Sequence, residues 1–391
     1  MDEKIEQIPE CILKSVRKII EKENFNIFEE TTNKMICSDN NFLGDLFESE
    51  IKGETDDGDK KLNIFFKYII KNENFILCSL QEVYRKEVFV YLELFKLFEK
   101  FQEEAKVPVD DRFNMVKCYE ETNTECIILE NMAVKGYKTL PVDEVMSLEF
   151  TEKGVRQLAK FHALSFVLEE KLPDFYEKNV KTVKASVEYN DYWIKFVDKI
   201  SSLAVAKFDG DSRRRLDKFL ELSLKKYPKY VTGQTSNIKC LCHGDYKLNN
   251  ILHKKENERI THLVPIDYQH VYYGCPIIDF YFFIYAGTDT TFRAKHLTNL
   301  RALYCETLTN FLQHFGIDFD SICSMAELEK CFDDSLDYAL MFSLYILPLF
   351  YVDGEPLSAK DNLLEITFRL QDKYYERITE IVEEFVDMNI L

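Results

Sequence analysis

The stretch Cys240-Leu241-Cys242-His243-Gly244-Asp245-Tyr246-Lys247-Leu248-Asn249-Asn250-Ile251-Leu252-His253 decides how the chain is read, together with Leu263-Val264-Pro265-Ile266-Asp267 and Gly274-Cys275-Pro276-Ile277-Ile278-Asp279 downstream. Apolar Ile251-Leu252 and Leu263–Ile266 flank the polar turn Lys254–Arg259, which predicts a short β-hairpin with buried strands. Asn250 stands at the start of that hairpin and Asp267 at its end. A hairpin returns its two ends to one place, so an amide oxygen and a carboxylate are expected to converge there. Oxygen ligands at such a corner suit a hard cation such as Mg²⁺, which takes one or two protein oxygens and leaves room for phosphates. Asp245, on the loop just before, is expected to face the same space.

An Asp, an Asn five residues on and a later Asp form the arrangement of kinase catalytic loops. The first accepts the proton of an acceptor hydroxyl and the other two hold Mg²⁺. His243-Gly244-Asp245 with Asn250, followed by Ile266-Asp267, Gly274, Pro276 and Asp279, resembles the aminoglycoside/choline-kinase-like phosphotransferases. Within them it is most similar to the ecdysteroid-kinase-like family of insects, and the resemblance runs from about Asn41 to Val352. It implies an α+β, two-lobed protein-kinase-like fold. A small mostly-β N-lobe is expected over residues 1–131 and a larger mostly-α C-lobe over 132–391. The implied cofactors are ATP and Mg²⁺, with Asp245 as catalytic base and Asn250 and Asp267 as metal ligands.

Upstream, Leu62–Ile70 reads as a mostly apolar strand interrupted by Lys67. A cation there must leave the core or find a partner, since an unpaired buried charge is costly. In the kinase scheme it grips the α- and β-phosphates and pairs with a helix Glu, and the resembled family has Phe-Val-Lys here. A surface lysine at a strand end is the alternative. The next helix, Ser79–Glu104, offers Glu87, which is three or four residues from Val83, Tyr84, Val90 and Tyr91 and so faces inward with them. Its surroundings resemble the family's Phe-x-x-Glu-x-x-Phe-Tyr; Glu82 is the alternative. The turn Asn40–Asp45 resembles the nucleotide-covering loop, echoed in Asn41, Phe42 and Gly44, with an ordinary turn as the other reading. Strands are expected at Phe113–Tyr119 and Glu125–Asn131. Ile127–Met132 resembles the segment that passes between lobes, where the backbone of Glu130 and Met132 is expected to meet adenine.

Beyond this point the sequence is largely helical apart from the central hairpin. Thr151–Leu168 carries the family-like Leu158-Ala159-Lys160-Phe161-His162-Ala163, with His162 read as a satisfied core histidine because Asp245 already fills the role of base. Asp279 lies near a helix start, where a carboxylate accepts backbone N–H groups, and is read as a brace for the catalytic loop. His243 is read as orienting the same loop. Trp193 with Tyr189, Tyr192 and Phe196 is an aromatic core group.

The 391 residues suffice for two cores, and 46% apolar with 30% charged content is ordinary globular chemistry. A net charge of −18 argues against a nucleic-acid partner and against docking on an anionic membrane. The polar, acidic N-terminus is unlike a signal peptide. The apolar run Tyr338–Val352, interrupted by Ser343 and Pro348, is too short to span a bilayer and reads as a buried helix. Eleven scattered cysteines fit a reducing compartment, hence a cytoplasmic location, and Cys240-x-Cys242 without a second pair disfavours zinc.

No Ala-Pro-Glu follows Asp267, so little chain is left for docking a peptide, which favours a small hydroxylated acceptor and no obligate protein partner. The resemblance implies an ecdysteroid or comparable xenobiotic alcohol, in hormone inactivation or detoxification. Lys247 stands where that family commonly has Trp; it suits a γ-phosphate or an acidic acceptor. A choline-, ethanolamine- or aminoglycoside-type kinase and a non-catalytic binding protein of kinase fold are the rival readings.

Overall fold

The structure, a computed structural model, describes residues 8–35, 44–70, 78–354, 357 and 361–391. Helix α1 (Glu10–Lys22) follows Pro9 and turns Ile12, Val16, Ile19 and Ile20 inward at helical spacing. They pack on Phe47, Ile51, Ile64 and Phe66 of the sheet and form the smaller of two cores. That sheet is an antiparallel meander of β1 (Phe25–Lys34), β2 (Gly44–Thr55), β3 (Gly58–Ile69) and β4 (Cys126–Glu130). Registers Leu46↔Lys67 and Lys67↔Ile127 put Lys67 on a central strand, which settles the choice left open above against a surface position.

Between β3 and β4 the chain forms one long helical stretch. Ser79 caps it by accepting from Glu82 N (3.3 Å). It runs as α2 (Leu80–Phe89), a π turn over Val90–Leu94, and α3 (Phe95–Glu104). The expected strand Phe113–Tyr119 does not form; only Cys118 bridges Leu129. Side-chain amides draw the segment away from the ladder, with Phe113 N donating to Gln102 Oε1 (2.7 Å) and Asn114 N to Gln157 Oε1 (2.9 Å).

The remainder is mostly helical. Helix α4 (Leu148–Lys171) is buried from Phe150 through Leu168 on nearly every side, so it is apolar beyond a single stripe. Around it lie α5 (Pro173–Asn179), α6 (Asp191–Val205) and α7 (Gly210–Val231). Strand β5 (Cys240–Cys242) leads into the loop 243–250. The hairpin β6 (Ile251–Glu256) and β7 (Arg259–Pro265) follows, and then β8 (Tyr272–Gly274), which returns to pair with β5. The hairpin strands run further than the apolar pattern predicts. A two-residue turn at Asn257 (φ 51°) and Glu258 (φ 64°) lets the polar rungs pair in solvent.

Helices α8 (Pro276–Gly287), α9 (Thr290–Gln313), α10 (Met325–Asp334), α11 (Leu336–Tyr345) and α12 (Asp372–Asp387) complete the chain. The run Tyr338–Val352 is a buried helix that tightens into a 3₁₀ turn over Leu347–Tyr351 at Pro348. Trp193 and Phe196 lie in the larger core, where Trp193 stacks on Tyr227 and Tyr227 on Tyr338. Among the described residues, no helix is long and apolar enough to cross a membrane.

Candidate active site

Lys67 is where the sheet meets the helical part. Its Nζ donates to Glu87 Oε2 (2.9 Å), Asp267 Oδ1 (2.5 Å) and Gln269 Oε1 (2.9 Å), so all three ammonium hydrogens have acceptors. Burial acts to strip the charge from Lys67, but the carboxylates of Asp267 and Glu87 outweigh it and hold its pKa above the ordinary lysine value. Burial pushes Glu87 up to about 7 against the pull of Lys67. At Asp267 the lysine wins over burial and the carboxyl lies below its usual range, so Asp267 is the firmer ionic partner. Glu82, the alternative on α2, instead pairs with Arg85 on the surface.

Asp267 adopts a left-handed backbone (φ 70°, ψ 62°), a conformation costly for a residue with a Cβ and found where surroundings enforce it. The enforcing contact is Tyr91, whose hydroxyl accepts the Asp267 N–H (3.1 Å). Tyr91 lies in the π turn and is buried; such turns often occur at functional positions. At the other end of the hairpin, Asn250 O accepts from Ile266 N (2.9 Å), so the two hairpin ends do meet.

Asn250 Nδ2 is committed to Asp245 O (2.9 Å) and Asp245 Oδ2 (2.8 Å), which leaves Oδ1 as the amide atom free to serve a cation. An amide oxygen and an ionised carboxylate at one corner form a donor set that fits a hard divalent cation.

The loop carrying Asp245 is held from behind. Asp279, in the first turn of α8, accepts from His243 N (2.5 Å) and Gly244 N (2.9 Å), and its Oδ2 also accepts from His162 Nε2 (3.1 Å). His162 is fully buried and its Nδ1 meets Tyr304 OH (2.8 Å), so both ring nitrogens are engaged. His243 Nε2 donates to Ile266 O (3.1 Å), which leaves Nδ1 to accept Asp245 N–H (3.3 Å). Burial lowers the His243 pKa and keeps this ring neutral, packed on Tyr268. Gly244 has φ +78°, and a Cβ there would overlap the His270 carbonyl oxygen.

Lys247 Nζ reaches both Asp245 oxygens (2.8 and 2.7 Å) and lies over the ring of Phe350 at 5.0 Å. Glu130 ends β4; its N–H goes to Lys117 O (2.9 Å) and its carboxylate to Lys135 (2.8 Å), while Met132 O accepts from Tyr137 N (3.2 Å). Asn41 lies outside the described residues. Gly44 begins β2 against Tyr84 and Lys67.

Sequence reading missed Tyr91, Gln269 and Phe350. Tyr91 sits four residues after Glu87 and Gln269 two after Asp267, so facing and proximity could have found them. Phe350 joins only through tertiary packing. One cluster of metal-ligand type occurs among the described residues, His162 with Cys240 and Cys242. Its histidine has no free nitrogen and burial raises both thiols, so it does not suit zinc.

No curated protein matches the sequence. Among solved structures, the ethanolamine kinase of Plasmodium vivax is similar at 13% identity, covering 92% of this chain and 83% of that one, with a TM-score of 0.42. The GDP complex of wild-type aminoglycoside 2′-phosphotransferase-IIIa is similar at 13% identity, covering 96% and 99%, with a TM-score of 0.39. The sequence itself matches the ecdysteroid kinase-like family over residues 38–317, most of its length, and the chain belongs to that family.

Proposed function

We propose that this phosphotransferase moves the γ-phosphoryl group of ATP, in the presence of Mg²⁺, onto a hydroxyl of an ecdysteroid or a similar apolar hydroxylated small molecule. The observation that carries the reading is the convergence of Lys67, Asp267, Asn250 and Asp245, with the Lys67–Glu87 pair already formed. A protein that only binds has no use for all four.

Mg·ATP, when bound, would supply the transferable group and a divalent charge to offset that of the phosphates. The chain supplies position and charge compensation. Lys67, kept cationic by its two carboxylates, neutralises the nonreacting phosphates. Asn250 Oδ1 and Asp267 would hold the cation, and Tyr91 fixes Asp267 from its backbone. Asp245 orients the acceptor hydroxyl and takes its proton as the acceptor oxygen bonds the γ-phosphorus and the bond from that phosphorus to the departing ADP breaks. Oδ1 is the atom for this, because Asn250 occupies Oδ2 and only Lys247 touches Oδ1. Glu130 and Met132 supply backbone groups for the adenine.

Lys247 supports a neutral or acidic acceptor over a choline-like cation. An ammonium group 2.7–2.8 Å from the catalytic carboxylate repels a second cation at that place. Phe350 under the lysine supplies apolar surface beside it.

The test is Mg·ATP-dependent phosphorylation by the purified chain of ecdysteroids, plant phenolic glycosides, choline and an aminoglycoside, with Asp245→Asn alongside. Phosphate is expected on a steroid or glycoside hydroxyl. The variant should lose about 10²–10⁴-fold in turnover while still binding Mg·ATP. Undiminished turnover in the variant, or transfer to choline alone, would overturn the assignment.

A further inference from the structure

We propose that Cys275 and Cys331 are a modification site, joined by peroxide into a disulfide that thiol reductants reverse. Their sulfurs lie 3.3 Å apart although 56 positions separate them in sequence, and neither side chain belongs to the site described above. Closing to the roughly 2.05 Å of a disulfide requires about an ångström of approach. Cys275 caps the N-terminus of α8 immediately before Pro276, and Cys331 lies in the last turn of α10. The ten described cysteines form no disulfide among themselves, and the other close pair of sulfurs, Cys240 and Cys242, lies within 4.8 Å two positions apart on one strand.

The two thiols differ in a way that divides the chemistry between them. Cys275 is fully enclosed, whereas Cys331 keeps 8% of its surface. The Cys275 thiol as hydrogen-bond partner, helped by Ser236, brings Cys331 down to about 7 against burial; burial pushes Cys275 well up. Cys331 is therefore the nucleophile and Cys275 the resolving thiol. The Cys331 thiolate attacks one oxygen of hydrogen peroxide, the O–O bond breaks, and hydroxide leaves, taking a proton to become water. The resulting sulfenic acid is attacked by the Cys275 sulfur, which gives up its proton as a second water departs. Two thiols and one peroxide thus give one disulfide and two waters.

The bond would tie the first turn of α8 to α10. That turn carries Asp279, which holds the His243 and Gly244 amides of the catalytic loop. The cross-link thus restrains the brace of the active site from outside it.

Trypsin makes the test unambiguous. It places Cys275 in the peptide 260–293 and Cys331 in 331–360, each with a single cysteine, while Cys305 and Cys323 share 302–330. The full chain, folded, is treated with hydrogen peroxide, blocked with iodoacetamide and digested without reduction. The expected product is 260–293 joined to 331–360 and lighter by two hydrogens, absent after dithiothreitol and absent in Cys331→Ser and in Cys275→Ala. The oxidised wild-type chain should melt a few degrees higher than the reduced one, because the bond closes a long loop, and neither variant should show that shift. Full alkylation of both cysteines after peroxide would overturn the proposal, as would Cys331 joined to 302–330.

Discussion

Replacing Asp279 by Asn removes one acceptor from a carboxylate that serves three donors. In the native chain Oδ2 accepts from His243 N and His162 Nε2, and Oδ1 from Gly244 N at 2.9 Å. An amide has one oxygen. If that oxygen stays with His243 and His162, the new NH₂ group faces the Gly244 N–H and both are donors. A buried N–H left without a partner costs about 1–3 kcal/mol. The surviving bonds lose their charge assistance, which adds roughly 1 kcal/mol. The loop carrying Asp245 should therefore lose about 2–4 kcal/mol of local stability, or roughly thirtyfold to several hundredfold in its opening equilibrium. Hydrogen exchange followed by mass spectrometry reads this directly at the Gly244 and Asp245 amides. The variant should exchange faster there while α4, buried on nearly every side, stays protected, and turnover should fall with it. Exchange within twofold of the native rate in a folded variant would show that Asp279 does not hold the loop.

Gly244→Ala should cost about 1–2 kcal/mol for the positive φ alone, with the overlap on the His270 carbonyl added; an unchanged melting temperature would contradict this. Tyr91→Phe removes the acceptor of the Asp267 N–H, worth about 1–3 kcal/mol. Nucleotide should then bind more weakly and with less dependence on Mg²⁺ in titration calorimetry, and an unaltered metal dependence would count against the role of Tyr91.

His270, pushed down to about 4, shapes the pH response together with His243. Burial lowers the folded pKa of each below the unfolded value of about 6.5, so the unfolded chain binds more protons on the acid side. Their contribution to stability is complete above that value and is lost as pH falls below it. Melting temperature should drop on acidification below about pH 6.5, and less steeply in His243→Gln.

The residues proposed to carry the chemistry could be picked out because their spacing is local. Asp245 and Asn250 lie five apart, and the hairpin that brings Asn250 to Asp267 is marked by apolar runs on either side of a polar turn. Lys67 announced itself as a cation inside an apolar strand. Glu87 followed from helical facing, and its pairing with Lys67 across 20 positions obeys the rule that a buried charge needs a partner. The failure at Phe113–Tyr119 has the opposite cause. Its composition suits a strand, but Gln102 and Gln157 offer its amides other acceptors, and nothing local reveals that competition.

The sequence by itself determined the kind of chemistry, because Asp245, Asn250 and Asp267 at those intervals, with the match over residues 38–317, place the chain in a family of phosphotransferases. Tertiary structure alone decided how each is held: the left-handed Asp267 pinned by Tyr91, and the three donors gathered on Asp279. It also set Lys247 over Phe350 and Cys275 against Cys331. Local spacing and burial pattern can be read along a chain. Contacts between residues many positions apart depend on packing that involves the whole molecule.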